Sequence, residues 1–165
     1  MPATLPTPIE FRLPEGWLPA GPDSPDAEHA AFVAVHPRPD AGFTATIAID
    51  GERLPDGATP AHLADESVER LRELDVSVDV TDRREVGTAE APALTQRLAF
   101  SAVVDGALRD LVQSQVYLFV SDVEDARKKA VIRLILTASV AQHHTALRDF
   151  QEFVRTVRPD TGAGV

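Results

Sequence analysis

Residues 93–120 read ALTQRLAFSAVVDGALRDLVQSQVYLFV. Two long runs of β-branched, aliphatic and aromatic residues flank the tight turn at Val104, Asp105 and Gly106. An Asp-Gly pair between two such runs is a strong hairpin signal. The second run sets Arg109, Leu111, Gln113, Gln115, Tyr117 and Phe119 on one face and Leu108, Asp110, Val112, Ser114, Val116 and Leu118 on the other, because strand side chains alternate.

On its C-terminal side, AVIRLILTAS at 130–139 is a third strand, joined through the charged stretch SDVEDARKK. On its N-terminal side, VSVDVTDRREV at 76–86 alternates Val76, Val78 and Val80. Earlier still, IEFRL at 9–13, AAFVAVHP at 30–37 and FTATIAID at 43–50 have strand character. Trp17, after the PEGW turn, is expected to cap one end of the core, and PAGPDSPDAE at 19–28 reads as loop.

Two helices interrupt the strands. Thr59 is an N-cap followed by Pro60, whose missing N–H costs nothing at the first helical position. Ala64, Val68 and Leu71, flanked by Leu63 and Leu74, form its apolar stripe. Asp65 and Glu66 are expected near its positive end, and Arg70 and Arg72 near its negative end. The last helix begins at Ser139, with Gln142 in capping-box spacing, and carries Ala146, Leu147, Phe150, Phe153, Val154 and Val157 as its stripe. Pro159 ends it. Strands grouped by short turns, with two amphipathic helices, define an α+β class: a mainly antiparallel sheet of about six or seven strands with helices packed on it. One domain is expected over 1–165, with its core at about 9–158, a loose segment at 1–8 and a tail at 159–165.

The chain has 165 residues, enough to bury roughly 70% of its unfolded surface. It lacks cysteine, which removes disulfides, thiol catalysis and thiolate metal sites. The N-terminus has no basic start and no apolar run of signal-peptide length, and no stretch reaches the length of a membrane helix. A cytoplasmic location is the expectation. The net charge of −10 repels nucleic acid and anionic lipid and leaves a basic or apolar partner as the easier match.

No catalytic motif stands out. His29, His36, His62, His143 and His144 do not form H-x-H, H-x₃-H or H-E-x-x-H. His143 and His144 point about 100° apart on a helix and are expected in an exposed first turn, as is His62. No G-x-S-x-G, G-x-G-x-x-G or Walker A loop occurs. Carboxylates cluster in predicted loops, where solvation accounts for them. No enzyme activity, cofactor or metal site is expected.

The polar strand residues remain. Thr95 and Arg97 share a face of their strand, as do Arg133 and Thr137 of theirs. With these strands adjacent, Arg97, Gln113, Gln115, Tyr117 and Arg133 lie on one exposed surface. A solvated sheet face explains them. A protein-recognition surface explains them too, since amides, guanidinium groups and aromatics are enriched at interfaces. A catalytic role has no obvious base or nucleophile behind it.

Three stretches taken together carry a family resemblance: IEFRLPEGW, EVGTAEAPALTQRLAF, and LVQSQVYLFV followed by IRLILTAS and FQEFVRTVRP. In this order they resemble the PsbP-like superfamily, which includes PsbP, Mog-type Ran-binding, LpqN- and DcrB-type proteins and the Eag chaperones of secreted effectors. The Q-x-Q-x-Y-L strand and the L-T-A-S ending look closest to the Eag-like and LpqN-like branch. The resemblance implies an α/β/α sandwich and non-enzymatic binding of a partner protein. For the Eag-like branch it implies a cytoplasmic, usually dimeric chaperone, with Gln113 and Gln115 facing the partner. The lipoprotein branch is a poorer match, because no cysteine is present to be acylated. The alternative is a small-molecule or lipid carrier with a pocket between sheet and helices lined by Phe43, Ile47, Leu98 and Phe150.

Overall fold

A computed structural model describes residues 9–20, 31–39, 43–55, 57–73, 77–88, 92–104, 106–121 and 129–159. The expectations for His29, Leu74, Val76, the segment 1–8 and most of the 19–28, 121–129 and 159–165 stretches lie outside these residues. The elements are β1 (Ile9–Glu10), β2 (Leu18–Pro19), β3 (Phe32–Val35), β4 (Thr46–Arg53), α1 (Pro60–Arg72), β5 (Val78–Gly87), β6 (Pro92–Val104), β7 (Ala107–Ser121), β8 (Lys129–Ser139), α2 (Val140–Thr156) and β9 (Arg158–Pro159).

Seven strands form one antiparallel sheet in the order β2-β3-β4-β8-β7-β6-β5. The α+β class and the antiparallel sheet are as the sequence indicated. The β6–β7 hairpin has Val104 opposite Ala107, and Gly106 adopts φ +80°, a conformation L side chains rarely take. Its 12 paired positions, from Ala93↔Leu118 to Val104↔Ala107, make it the longest ladder.

The run at 9–13 behaves differently from the reading. Only Ile9 and Glu10 form a strand, and they pair with Arg158 and Pro159 in a separate two-stranded sheet. Phe11 instead packs edge-on against Phe32 and Phe153, with centroids 5.0 and 5.5 Å apart. The backbone of Arg12 exchanges two hydrogen bonds with the Thr156 hydroxyl. Side-chain burial against α2 thus outcompetes a place in the main sheet. Strands β2 and β9, two residues each, are too short to carry a periodic signal.

The two helices lie on opposite faces. Helix α2 buries Ala146, Phe150 and Phe153 against Ile47, Ile49, Ile132, Leu134 and Leu136, the largest core. Trp17 seals one end of it and donates its indole N–H to Asp149, 3.0 Å away. Helix α1 buries Leu63 and Ala64 against Leu94, Tyr117 and Val131, and Val68 against Val78, Leu98, Phe100 and Leu111. Phe43 joins this second group, as does Leu98, whereas Ile47 and Phe150 belong to the α2 core. The four residues expected to line a carrier pocket therefore sit in two cores on opposite sides of the sheet.

Both N-caps form as expected. Thr59 Oγ1 accepts from the His62 amide and Ser139 Oγ from the Gln142 amide, each at 3.2 Å. The reciprocal arm of the capping box does not form: Gln142 Oε1 accepts no hydrogen bond among the described residues, while its Nε2 donates to the Arg38 carbonyl 3.1 Å away. The first turn of α1 holds no acid; Asp65 binds Arg83 and Glu66 binds His62 across i,i+4.

The offset of the helices decides what stays open. Helix α2 lies over β8 and β7, and α1 over β5 and β6. On the α2 side, the β5–β6 end of the sheet is left without a helix. A β-bulge between Val80 and Asp82 shifts the alternation of β5. It turns Arg83 under α1, opposite Gln96, and sends Asp82 and Arg84 to the α2 side, opposite Arg97 and Thr95.

Candidate functional site: a buried amide seam and an open arginine groove

The five residues singled out from the sequence do not share a surface. Register places Gln96, not Arg97, opposite Gln115, while Arg97 faces Ser114 on the other side of the sheet. Gln113, Gln115, Tyr117 and Arg133 do share a face. That face is covered, not exposed: Gln115 and Tyr117 are 0% exposed and Arg133 7%. Gln113 is half-buried.

Together they form a polar seam beneath α1. Gln115 Oε1 accepts from Gln96 Nε2 at 3.0 Å and from the Tyr117 hydroxyl at 2.7 Å. Its Nε2 donates to Ser67 Oγ at 3.0 Å and to Gln113 Oε1. All four hydrogen-bonding positions of this buried amide are used, as burial demands. Gln96 continues the chain to the Ala64 carbonyl at 3.3 Å and accepts from Arg83, which also pairs with Asp65 at 2.7 Å. Gln113 extends it to Thr137 at 3.1 Å. The amides fasten α1 to the sheet.

Arg133 stands beside this seam, opposite Tyr117, and binds Asp50 at 2.8 Å and Glu52 more closely. Burial by itself would lower its pKa, but the two carboxylates outweigh that and hold it above the usual value. Burial raises Tyr117 above the ordinary phenol value, against the pull of Ser67 and Arg133.

The open chemistry lies on the other side. Between α2 and the uncovered end of the sheet runs a groove of about 690 Å³. Its floor includes Thr95, Arg97, Ser114 and Val116, and β5 supplies Asp82, Arg84 and Val86. Its wall is α2, with Leu147, Gln151, Val154 and Arg155. Of the five sequence candidates, Arg97 and Gln115 border this groove, Gln115 from its buried position.

His143, expected to be exposed, is buried at this end of α2 and shares a 2.9 Å hydrogen bond with Ser114. Helix periodicity carries the signal: His143 precedes Ala146, Phe150 and Phe153 on the inward face. Desolvation lowers its pKa, and Arg97 and His144 lower it further. Neutral His143 is thus favoured in the fold. Below about pH 6.5 the unfolded chain binds the proton more readily, so stability falls as the pH drops through the folded pKa. The melting temperature of the wild type is expected to fall more between pH 7.5 and 5 than that of His143→Gln, which removes this titration. Parallel curves would refute the assignment.

Among the described residues no three His, Asp or Glu side chains gather as metal ligands, and no helix is long and apolar enough to cross a membrane.

No protein-family model matches this sequence, and no curated protein does. Solved structures do match. LpqN of Mycobacterium tuberculosis, described as involved in cell envelope biogenesis, superposes with a TM-score of 0.60 at 19% identity over 90% of this chain and 81% of its own. The Ran-binding protein Mog1p of Saccharomyces cerevisiae gives 0.60 at 18% identity over 93% and 92%. Cyanobacterial PsbP from Synechocystis gives 0.56 at 14% identity over 92% and 86%. The chain has the PsbP-like fold.

Proposed function

We propose that this chain is a non-enzymatic adaptor that binds another protein in the groove between α2 and the β5–β6 end of the sheet. The observation that carries the reading is the groove itself: about 690 Å³, open to solvent, with Leu147 and Val154 of the helix wall facing Arg84 and Arg97 on the strands. Interfaces of this kind combine apolar anchors with arginine. The likeness to a Ran-binding protein supports a binding role, and the position of Gln113, Gln115, Tyr117 and Arg133 beneath α1 favours the groove over them as the partner surface. We place the protein in the cytoplasm, with a chaperone-like role of covering an apolar stretch of its partner, alone or as a homodimer. Light scattering of the purified chain separates the two assemblies.

The test is photo-crosslinking in the native host. Benzoylphenylalanine replaces Gln151 on the groove wall, or Glu69 on the outer face of α1; both positions are exposed. A protein adduct is expected from position 151 and not from position 69. Adducts from neither position, or from both alike, would count against this reading.

A further inference from the structure

Arg97 lies half-buried on the groove floor. Its Nε is shut off from solvent and has no hydrogen-bond partner. No carboxylate pairs with it among the described residues, although the chain carries 26 acidic side chains against 16 basic ones. Asp82 is the single carboxylate among the groove's lining residues, and it sits 3.4 Å from Arg84. Arg155 lines it from α2, and His143 is bonded to Ser114 of its floor. Four further acids, Asp65, Glu66, Glu69 and Glu73, border the far side of α1. The groove's lining thus carries three arginines, Arg84, Arg97 and Arg155, against one carboxylate, on a molecule of net charge −10.

Asp82 stands across from Arg97 in the ladder but makes its close contact with Arg84, and a guanidinium taken partly out of water without a close ion pair is costly, a cost that a complementary anion offsets. Two features select the kind of anion. A free phosphate would fill a small part of 690 Å³ and leave Leu147, Val154 and Val116 wet, and its second charge would meet Asp82. A carboxylate matches the planar guanidinium fork with one charge, and a peptide bearing it can also cover the apolar wall.

We propose that the groove takes an extended acidic segment of a partner protein, with one carboxylate on Arg97 and neighbouring apolar side chains against Leu147 and Val154. The proposal rests on the protein-binding reading above and specifies the chemistry of the partner.

Fluorescence anisotropy of the full chain with labelled nonapeptide pools tests it. One pool fixes glutamate at the centre among leucine, valine, alanine and serine; a matched pool carries glutamine there. The glutamate pool is expected to bind about tenfold more tightly than the glutamine pool, the value of one charge-assisted contact. Arg97→Gln should abolish that difference while circular dichroism stays unchanged. Should that variant fail to fold, Arg155→Gln, on the exposed surface, is expected to narrow the difference about threefold by removing a flanking charge. Pools that bind alike, or an Arg97→Gln chain that still tells them apart, would overturn the proposal. Displacement of the peptide by equimolar inorganic phosphate would overturn it in favour of a small-anion site. Binding of neither pool also overturns it; a protein adduct from position 151 would then leave the adaptor reading standing, and loss of that adduct would remove both.

Discussion

Gln115→Leu is expected to lower the stability of this protein by about 3 kcal/mol, a fall in melting temperature of roughly 6–12 °C. Leucine is close in volume, so the loss comes from stranded polar groups rather than from a cavity. The Tyr117 hydroxyl, donor to Gln115 and 0% exposed, loses its acceptor. Gln96 Nε2 keeps the Ala64 carbonyl at 3.3 Å but loses its shorter bond, and Ser67 loses its donor from the sheet. Tyr117→Phe alone should cost about 1 kcal/mol, because Gln115 Oε1 retains Gln96. Combining the two changes should recover part of the Gln115→Leu loss, since phenylalanine leaves no hydroxyl to strand. Urea unfolding of the four chains measures this cycle. Simple additivity, or a Gln115→Leu loss below about 1 kcal/mol, would mean that the seam does not hold α1.

Phe153→Ala is expected to cost about 3–5 kcal/mol, the usual loss for a phenylalanine deleted from a core. Phe153 is 1% exposed and contacts Phe11 and Phe150, with centroids 5.5 and 6.2 Å apart. The effect should spread to the β1–β9 pair, because Phe11 follows β1 and has Phe32 and Phe153 as its ring contacts. Hydrogen exchange at the Arg12 amide, bonded to Thr156 at 2.9 Å, is expected to quicken beyond the global change in stability. Unaltered relative protection of Arg12 would show that the N-terminal segment is held by its backbone bonds alone.

The class of fold was readable because its signals are local. Asp105-Gly106 between two alternating runs requires a hairpin, Thr59-Pro60 and Ser139 start helices, and the stripe ending in Phe150 and Phe153 fits one helix face. Which strand positions share a face was readable too, and Gln113, Gln115, Tyr117 and Arg133 do share one. Arg97 falls on the opposite face because of register. A two-residue turn sets odd positions of β6 against even positions of β7, so Arg97 meets Ser114. The turn carried that information, but parity within each strand does not.

What lies above a sheet face is not written in the strand at all. The pattern Gln-Ser-Gln-Val-Tyr is compatible with water or with a helix overhead. Packing of α1, brought back across β5–β7, supplied Ser67 and the Ala64 carbonyl and made the amides interior. Likewise β5 looked like plain alternation, and the bulge after Val80 redirected Arg84 into the groove. Short-range steric and hydrogen-bonding preferences thus specified the elements and their apolar faces. Burial, the unpaired guanidinium of Arg97 and the groove beside α2 arose from the offset of two helices on opposite faces, a contact between segments far apart in the chain that no local pattern encodes.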